Sequence, residues 1–152
     1  MSRPRWKSVL LIGSMIVLGL LVVAQVIPYG RDHSNPPVVS EPTWNSSTTR
    51  ALAARACFDC HSNETQWPWY SNVAPMSWLG QNHVDEGRRE LNFSEWNRGK
   101  SADDAAEAVR EGEMPPRSYL LLHPEARLTT AEREQLARGL DTSLGAAQSR
   151  AD

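Results

Sequence analysis

The only two cysteines of this 152-residue chain are three positions apart, and a histidine directly follows the second one. The run Cys57-Phe58-Asp59-Cys60-His61 has the C-x-x-C-H spacing of c-type haem attachment. At this spacing two thiols can reach the two vinyl groups along one edge of a porphyrin, and the adjacent imidazole can lie beneath the iron. The motif therefore predicts one covalently bound haem c, attached at Cys57 and Cys60, with His61 as the proximal axial ligand.

Other uses of a cysteine pair fit this sequence less well. A disulfide across so short a loop would constrain little of the unfolded chain. A zinc site needs four ligands, usually from a second C-x-x-C or a closely spaced histidine pair, and the chain has neither. A thioredoxin-like dithiol needs a βαβ setting, whereas the sequence pattern is helical. A redox thiol pair and a chance match stay open as minor alternatives.

An apolar stretch of 19 residues, Val9–Ile27, is broken only by Ser14 and Gln25. As a helix with a rise of about 1.5 Å per residue it would span roughly 28 Å, close to the hydrocarbon thickness of a bilayer. The apolar region of a cleaved signal peptide is shorter and ends at an A-x-A-like site, which is missing here. The stretch predicts an uncleaved transmembrane anchor, with a cleaved signal peptide as the alternative.

The charge distribution predicts the orientation of this anchor. Arg3, Arg5 and Lys7 precede the apolar stretch, and no acidic residue occurs before Asp32. The positive-inside tendency then leaves the N-terminus in the cytoplasm. We expect a single-pass protein of the cytoplasmic membrane whose haem domain lies in the periplasm of a Gram-negative host, where haem is attached covalently.

The exported part of the chain is mildly acidic. From Arg31 onward, 13 Lys and Arg stand against 18 Asp and Glu, a net charge of −5. Such a surface argues against nucleic-acid binding, which requires a basic footprint. The expected partners are membrane lipid, through the N-terminal helix, and membrane-associated redox proteins.

Composition predicts five segments, and Pro28 marks the boundary between the second segment and the third. The segments are a basic cytoplasmic N-terminus (1–8), a transmembrane anchor (9–27), a Pro-rich spacer (28–43), a haem-binding domain (44–144) and a flexible tail (145–152).

The folded part is predicted to be all-α. Ser101 is expected to cap a helix that ends at Gly112, and Thr129 with Glu132 forms a capping box ahead of a helix that carries Leu136, Leu140 and Leu144. Residues 48–56 and 78–91 are the other predicted helices, and loops are expected at 63–74 and 112–128. Four short helices bury little apolar surface among themselves, so a central haem would supply the missing core.

Met114 is the predicted sixth ligand. It lies in Gly112-Glu113-Met114-Pro115-Pro116, where the prolines restrict the backbone and reduce the entropy lost on holding a flexible thioether. Sulfur ligation also stabilises ferrous iron, which raises the reduction potential. The alternatives that stay open are His83, His123, Met76, His33 and an open sixth position.

Several further motifs make a combination much more specific than C-x-x-C-H alone. They are Cys57-Phe58-Asp59-Cys60-His61-Ser62-Asn63-Glu64-Thr65, Trp67-Pro68-Trp69-Tyr70-Ser71, Pro75, Gly87-Arg88-Arg89, Leu91-Asn92-Phe93-Ser94-Glu95-Trp96 and Gly112-Glu113-Met114-Pro115-Pro116. Together they resemble the bacterial haem-binding domain family, which is related to class I cytochromes c. The resemblance covers residues 36–140 and implies a cytochrome c-like helical fold with one covalent haem, often behind an N-terminal membrane segment. It also implies that Met114 is the distal ligand.

Two groups of side chains are predicted to contact the haem itself. Trp67, Trp69 and Tyr70 are expected to line the pocket or to donate hydrogen bonds to the propionates, with ordinary packing as the alternative. Arg88 and Arg89 are expected to pair with the propionates by charge, with a solvated helix face as the alternative.

These features predict a one-electron carrier. A haem-based gas or redox sensor, or a ligand-binding module with an open or displaceable sixth position, is the alternative. Enzymatic activity is not expected, since the chain has no second haem motif and no obvious distal His/Arg pair.

Overall fold

Helices are the regular elements of the part of the chain that the computed structural model describes, residues 5–96 and 104–148. The seven α-helices of these ranges are α1 (Arg5–Ala24), α2 (Ser47–Ala56), α3 (Phe58–His61), α4 (Met76–Glu90), α5 (Ala105–Glu111), α6 (Arg117–Leu120) and α7 (Thr130–Gln148). Two short 3₁₀ helices, Trp69–Asn72 and Pro124–Ala126, lie between them. The same ranges contain an isolated β-bridge between Ser40 and Glu95 but no strand. The predicted all-α class is confirmed.

Contacts divide the described residues into two compact units. The first comprises residues 5–34 and 67–83, and the second comprises residues 35–66, 84–96 and 104–148. The predicted spacer, residues 28–43, contributes to both units. The five predicted segment boundaries stay a prediction.

In the first unit, α1 begins with Arg5 and Lys7 and is largely apolar from Val9 to Ala24. Its Trp6–Ala24 part has 19 residues and a mean hydropathy of 2.3, and its apolar residues are not buried within the structure. A helix of this length and composition suits a transmembrane span.

The core of the second unit forms where α7 packs against α5 and α2. Leu136, Leu140 and Leu144 follow one another at four-residue spacing on α7, and their exposed fractions are 0%, 1% and 3%. This spacing places them on one helix face, as the sequence predicts. They pack in a cluster with residues of the other elements, which include Leu52, Ala53, Phe58, Phe93, Ala106 and Val109.

The start of α7 confirms the predicted capping box. The backbone N–H of Thr129 donates to Oε2 of Glu132 at 2.8 Å, and the Glu132 N–H donates to Oγ1 of Thr129 at 3.2 Å. The hydrogen bonds from Thr129, together with a 2.7 Å contact from the Arg55 guanidinium, lower the pKa of Glu132 to about 2. Because Arg55 lies on α2, the same carboxylate both caps α7 and pairs with α2.

Other helix ends show where local patterns were informative. Gly112 ends α5 in the left-handed conformation, with φ of 80°, as predicted. Ser101, the predicted cap of that helix, lies outside the described residues. α4 begins two residues before its predicted start, and α7 continues to Gln148, into the segment predicted as a tail. The loop predicted at 112–128 contains α6 and a 3₁₀ turn, because a four-residue helix is too short to show periodicity.

Truncating Leu136 should test the packing of α7. We expect Leu136→Ala to lower the free energy of unfolding by about 2–5 kcal/mol, because the side chain is fully buried and leaves a cavity. The matched control is Leu121→Ala, since Leu121 is 77% exposed and its loss should change stability by less than about 0.5 kcal/mol. Urea unfolding of the full chain in mild detergent measures both, and equal midpoints would contradict the prediction.

Candidate functional site

A largely apolar cavity of about 190 Å³ lies in the second unit. A void that admits one water molecule needs only about 10–15 Å³, so this cavity is much larger than an ordinary packing defect. Its apolar wall comes from four helices or the segments that follow them, and consists of Ala56, Leu91, Phe93, Ala105, Ala108, Val109 and Leu140. Its other lining residues are Cys57, His61, Met114 and two carboxylates, Glu90 and Asp104.

The His61 imidazole is oriented by a backbone carbonyl. Its Nδ1 lies 3.1 Å from the carbonyl oxygen of Leu91, the first residue after α4. A carbonyl can only accept, so Nδ1 carries the proton and Nε2 of the neutral ring keeps its lone pair for a metal. Burial lowers the pKa of His61, although hydrogen bonds to backbone carbonyls oppose this shift. The structure therefore favours the neutral form that binds iron.

Cys57 and Cys60 form no disulfide, and their environment is unlike that of a redox dithiol. Burial, together with the nearby Cys60, raises the pKa of Cys57 to about 12. Burial and the charge of Asp59 raise the pKa of Cys60 to about 11, although Arg88 acts in the opposite direction. Reactive cysteine pairs have a lowered thiol pKa, so these values argue against the redox-thiol alternative.

Met114 is held beside the cavity by the end of α5. The backbone N–H groups of Glu113 and Met114 both donate to the carbonyl of Ala108, at 3.0 and 3.1 Å. Met114 is half-buried and packs against the hydrophobic core. Of the distal ligands considered from the sequence, it is the one that lines the cavity with His61.

The other possible distal ligands have different surroundings. The His123 ring stacks on Tyr119 with centroids 4.1 Å apart, and its Nδ1 lies 3.0 Å from the Glu125 carboxylate. His83 is exposed on α4, and Met76 is the first residue of that helix. The choice of Met114 stays a prediction.

A hydrogen-bonded network that the sequence did not predict supports the segment after the cysteine motif. The N–H of Phe93 donates to the carbonyl of His61 at 2.8 Å. The N–H of Asn63 donates to Oγ of Ser94 at 2.9 Å, and the Asn92 side chain donates to Oδ1 of Asn63 at 3.0 Å. Residues 92–94 therefore hold the backbone of His61 and the residues that directly follow it.

Asp59, inside the motif, has a structural role of its own. Its Oδ2 accepts a 2.6 Å hydrogen bond from the hydroxyl of Tyr119 on α6, and its Oδ1 accepts one from the N–H of Gln66 at 2.9 Å. Burial and the Asp59 carboxylate raise the pKa of Tyr119 well above its usual range, so the phenol stays protonated and keeps donating. No sequence pattern pointed to this pair, since 60 residues separate its members.

The donor set fits a c-type haem. A thiol, a neutral imidazole with its lone pair available and a thioether converge on one apolar cavity, and these are the groups that attach and ligate haem. Within the described ranges no group of three or more His, Cys, Asp or Glu side chains could hold a bare metal ion. In agreement, the profile of the haem-binding domain family matches residues 19–142.

The chain belongs to the haem-binding domain family. The match covers well over half of its length, which confirms the predicted family and makes this a haem-binding protein. No curated protein and no solved structure shows a significant match.

The aromatic residues predicted at the haem lie in the first unit of this haem-binding protein. Trp69 is 79% exposed, and its ring meets that of Tyr70 edge to face at 6.0 Å. Trp67 stacks on His33 with centroids 4.6 Å apart, and its buried Nε1 has no hydrogen-bond partner among the described residues. The role of these three residues stays a prediction.

The arginines predicted at the propionates lie near the C-terminal end of α4. Nε of Arg88 donates to the carbonyl of Ser62 at 2.8 Å, and its terminal NH₂ group donates to Thr65 and Asn35, both at 3.0 Å. Arg88 therefore links Asn35, which precedes the haem motif, to Ser62 and Thr65, which follow it. Arg89 is the next residue of α4, and pairing of either guanidinium with a propionate stays a prediction.

Gly87 allows α4 to approach the haem motif at backbone distance. A Cβ at this position would meet the carbonyl group of Cys60 at less than van der Waals separation, and that group belongs to backbone that cannot rotate away. Only glycine fits such a contact. This explains why a helix-weakening residue stands in α4, directly before Arg88.

Replacing Gly87 should therefore impair haem incorporation. We expect Gly87→Ala to displace Cys60 or α4 and to lower the haem-to-protein ratio several-fold. The matched control is Gly80→Ala in the same helix, where an added Cβ meets nothing within 4 Å and should stabilise the helix by about 0.5–1 kcal/mol. Soret absorbance per polypeptide measures the ratio, and equal loading of both variants would contradict the prediction.

Proposed function

We propose that this haem-binding protein is a membrane-anchored one-electron carrier with one haem c. The observation that carries the proposal is that Cys57, His61 and Met114 line one cavity, although 53 residues separate His61 from Met114 in sequence. Haem supplies a one-electron Fe(III)/Fe(II) couple when bound. The chain's own residues attach it, ligate it and exclude water from it.

Each ligand has a separable role in this proposal. Cys57 and Cys60 hold the porphyrin through thioether bonds, so the haem stays bound in both oxidation states. His61 is kept in one tautomer by Leu91, and Met114 completes the six-coordinate site with a soft sulfur that favours the ferrous state. With both axial positions filled in both states, little reorganisation accompanies electron transfer.

Location at the outer face of the cytoplasmic membrane rests on α1 and on charge. The Trp6–Ala24 helix is long and apolar enough to cross a bilayer. Arg3, Arg5 and Lys7 precede the apolar stretch Val9–Ile27, so we infer a cytoplasmic N-terminus and a periplasmic haem domain. Tethering would raise the effective concentration of the haem for partners in the same membrane.

The partners we propose are membrane-associated redox proteins with a basic docking patch. The net charge of −5 from Arg31 onward would steer the carrier to such a patch. We propose no catalytic role, since the residues that line the cavity include one histidine, the proximal His61, and no arginine.

Covalent attachment is tested by removing both thiols. We expect Cys57→Ala/Cys60→Ala to yield a protein whose haem is fully extracted by acidified organic solvent, whereas the wild-type haem stays with the polypeptide. Met114→Ala is the control, because it loses an axial ligand and keeps both thioether bonds. Haem staining of denaturing gels gives the same readout, and extractable haem in the wild type would overturn c-type attachment.

Met114 ligation is tested by its replacement with alanine. We expect Met114→Ala to open the sixth position, to bind carbon monoxide rapidly when reduced and to lower the reduction potential by on the order of 0.1 V, within the roughly 0.8 V range that axial ligands span. Absorption spectra with a redox titration measure these effects.

The control for this experiment is Met76→Ala, which removes a second half-buried methionine and should leave the spectrum unchanged. An unchanged ferric spectrum of Met114→Ala would reject Met114 as the ligand. Rapid carbon monoxide binding by the wild type would favour a sensor or ligand-binding module over a saturated carrier.

A further inference from the structure

The end of α1 is hydrogen-bonded to a distant part of the chain through Gln25, one of the two polar residues in the apolar stretch. Its Nε2 donates to the carbonyls of Leu21 and Ala74, at 3.0 and 2.9 Å. Its Oε1 accepts from the N–H of Ala74 and from the Arg31 guanidinium, both at 3.0 Å. The amide thus pairs with both backbone groups of Ala74 and fixes that residue beside the last turn of α1.

A second contact in the same unit acts from the residues that follow α1. The ring of His33 lies nearly parallel to that of Trp67, with an interplanar angle of 11°, and its Nε2 lies 3.2 Å from the carbonyl of Gly30 and 3.3 Å from that of Ser71. Residues 67–74 are therefore held at the exit of α1 at two independent points.

The composition of this region differs from that of the rest of the chain. Residues 67–82, here called the interface segment, contain three tryptophans and one tyrosine, and no Asp, Glu, Lys or Arg. Charged residues make up 22% of the whole chain, so a run of this length would be expected to contain three or four. Uncharged, tryptophan-rich surfaces are typical of the boundary between lipid and water.

Several apolar side chains of the interface segment are exposed. Trp69 is 79% exposed, Leu79 48% and Val73 45%. An indole combines a large apolar face with one N–H donor, which suits the headgroup level of a bilayer better than water.

We propose that the interface segment lies in the outer headgroup region of the membrane, as a second lipid contact beside α1. The inference rests on the proposed transmembrane role of α1. A helix from Trp6 to Ala24 spans roughly 28 Å, the thickness of the hydrocarbon core, so Gln25 lies at its outer boundary. Ala74 is bonded to Gln25 and lies at the same depth, with Trp69 five residues away along the chain.

The test uses the full haem-loaded chain in vesicles of phosphatidylethanolamine and phosphatidylglycerol that contain a lipid with a photoactivatable diazirine near its headgroup. Mass spectrometry of the cross-linked peptides locates the lipid. We expect labelling at the ends of α1 and in the interface segment at several times the level at Leu121 and Leu122, two apolar side chains that are 77% and 54% exposed.

The outcomes separate this inference from the proposed anchor. Labelling of α1 without labelling of the interface segment would overturn the second lipid contact and leave the proposed anchor unaffected. This is the result expected if a protein partner covers the segment instead of lipid. No labelling of α1 would overturn the anchor and the inference together. Equal labelling at Leu121 would show that the label follows exposure alone, which also overturns the inference.

Gln25→Leu tests the contact that holds the interface segment. It removes all four hydrogen bonds of the amide while making α1 more apolar, so labelling of the segment should fall several-fold and labelling of α1 should persist. Ser14→Leu is the matched control, since it adds one leucine to α1 away from Gln25 and should leave both signals unchanged. An unchanged Soret spectrum confirms that either variant keeps its haem site, and equal labelling of the segment in both would overturn the role of Gln25.

Discussion

The hydrogen bond between Nδ1 of His61 and the carbonyl of Leu91 is the interaction on which the proposed haem site depends most directly. It determines the tautomer and the direction of the ring, and both are needed before an imidazole can ligate iron. The rest of the local structure maintains this bond. Gly87 allows α4 to end beside the motif, and the bond from Phe93 to the His61 carbonyl fixes the backbone on the other side.

In the second unit, the protein core and the cavity share residues. The protein core of this unit forms mainly where α7 packs against α5 and α2. Residues of the same three helices also line the largely apolar cavity. Val109 and Leu140 belong both to the core and to the cavity wall. Filling the cavity with a large apolar group would therefore extend the same core, which is small in a domain of this size.

The helical class, the capping box at Thr129, the leucine face of α7 and the helix end at Gly112 were predictable because each depends on residues close in sequence. The family followed from the C-x-x-C-H run together with the later motifs. The Leu91 carbonyl was not predictable, because any residue type supplies a backbone carbonyl and only the fold places it. The Asp59–Tyr119 pair joins residues far apart, and the contact of Gly87 with Cys60 depends on the path of two backbones. Gln25 stood out in the apolar stretch, but its pairing with Ala74 was not predictable, because Ala74 contributes only backbone groups, which every residue has.

The contact between Gly87 and the Cys60 carbonyl brings two backbones together without an intervening side chain. Side chains elsewhere in the core can change rotamer or size and shift their neighbours by fractions of an ångström. This contact has no such adjustable part, so the distance from α4 to the motif is insensitive to repacking around it. Substitutions on α5 or α7 would then alter the stability of the domain, or the polarity of the cavity, without moving His61. Such an arrangement would let thermal stability and redox tuning vary independently over evolution.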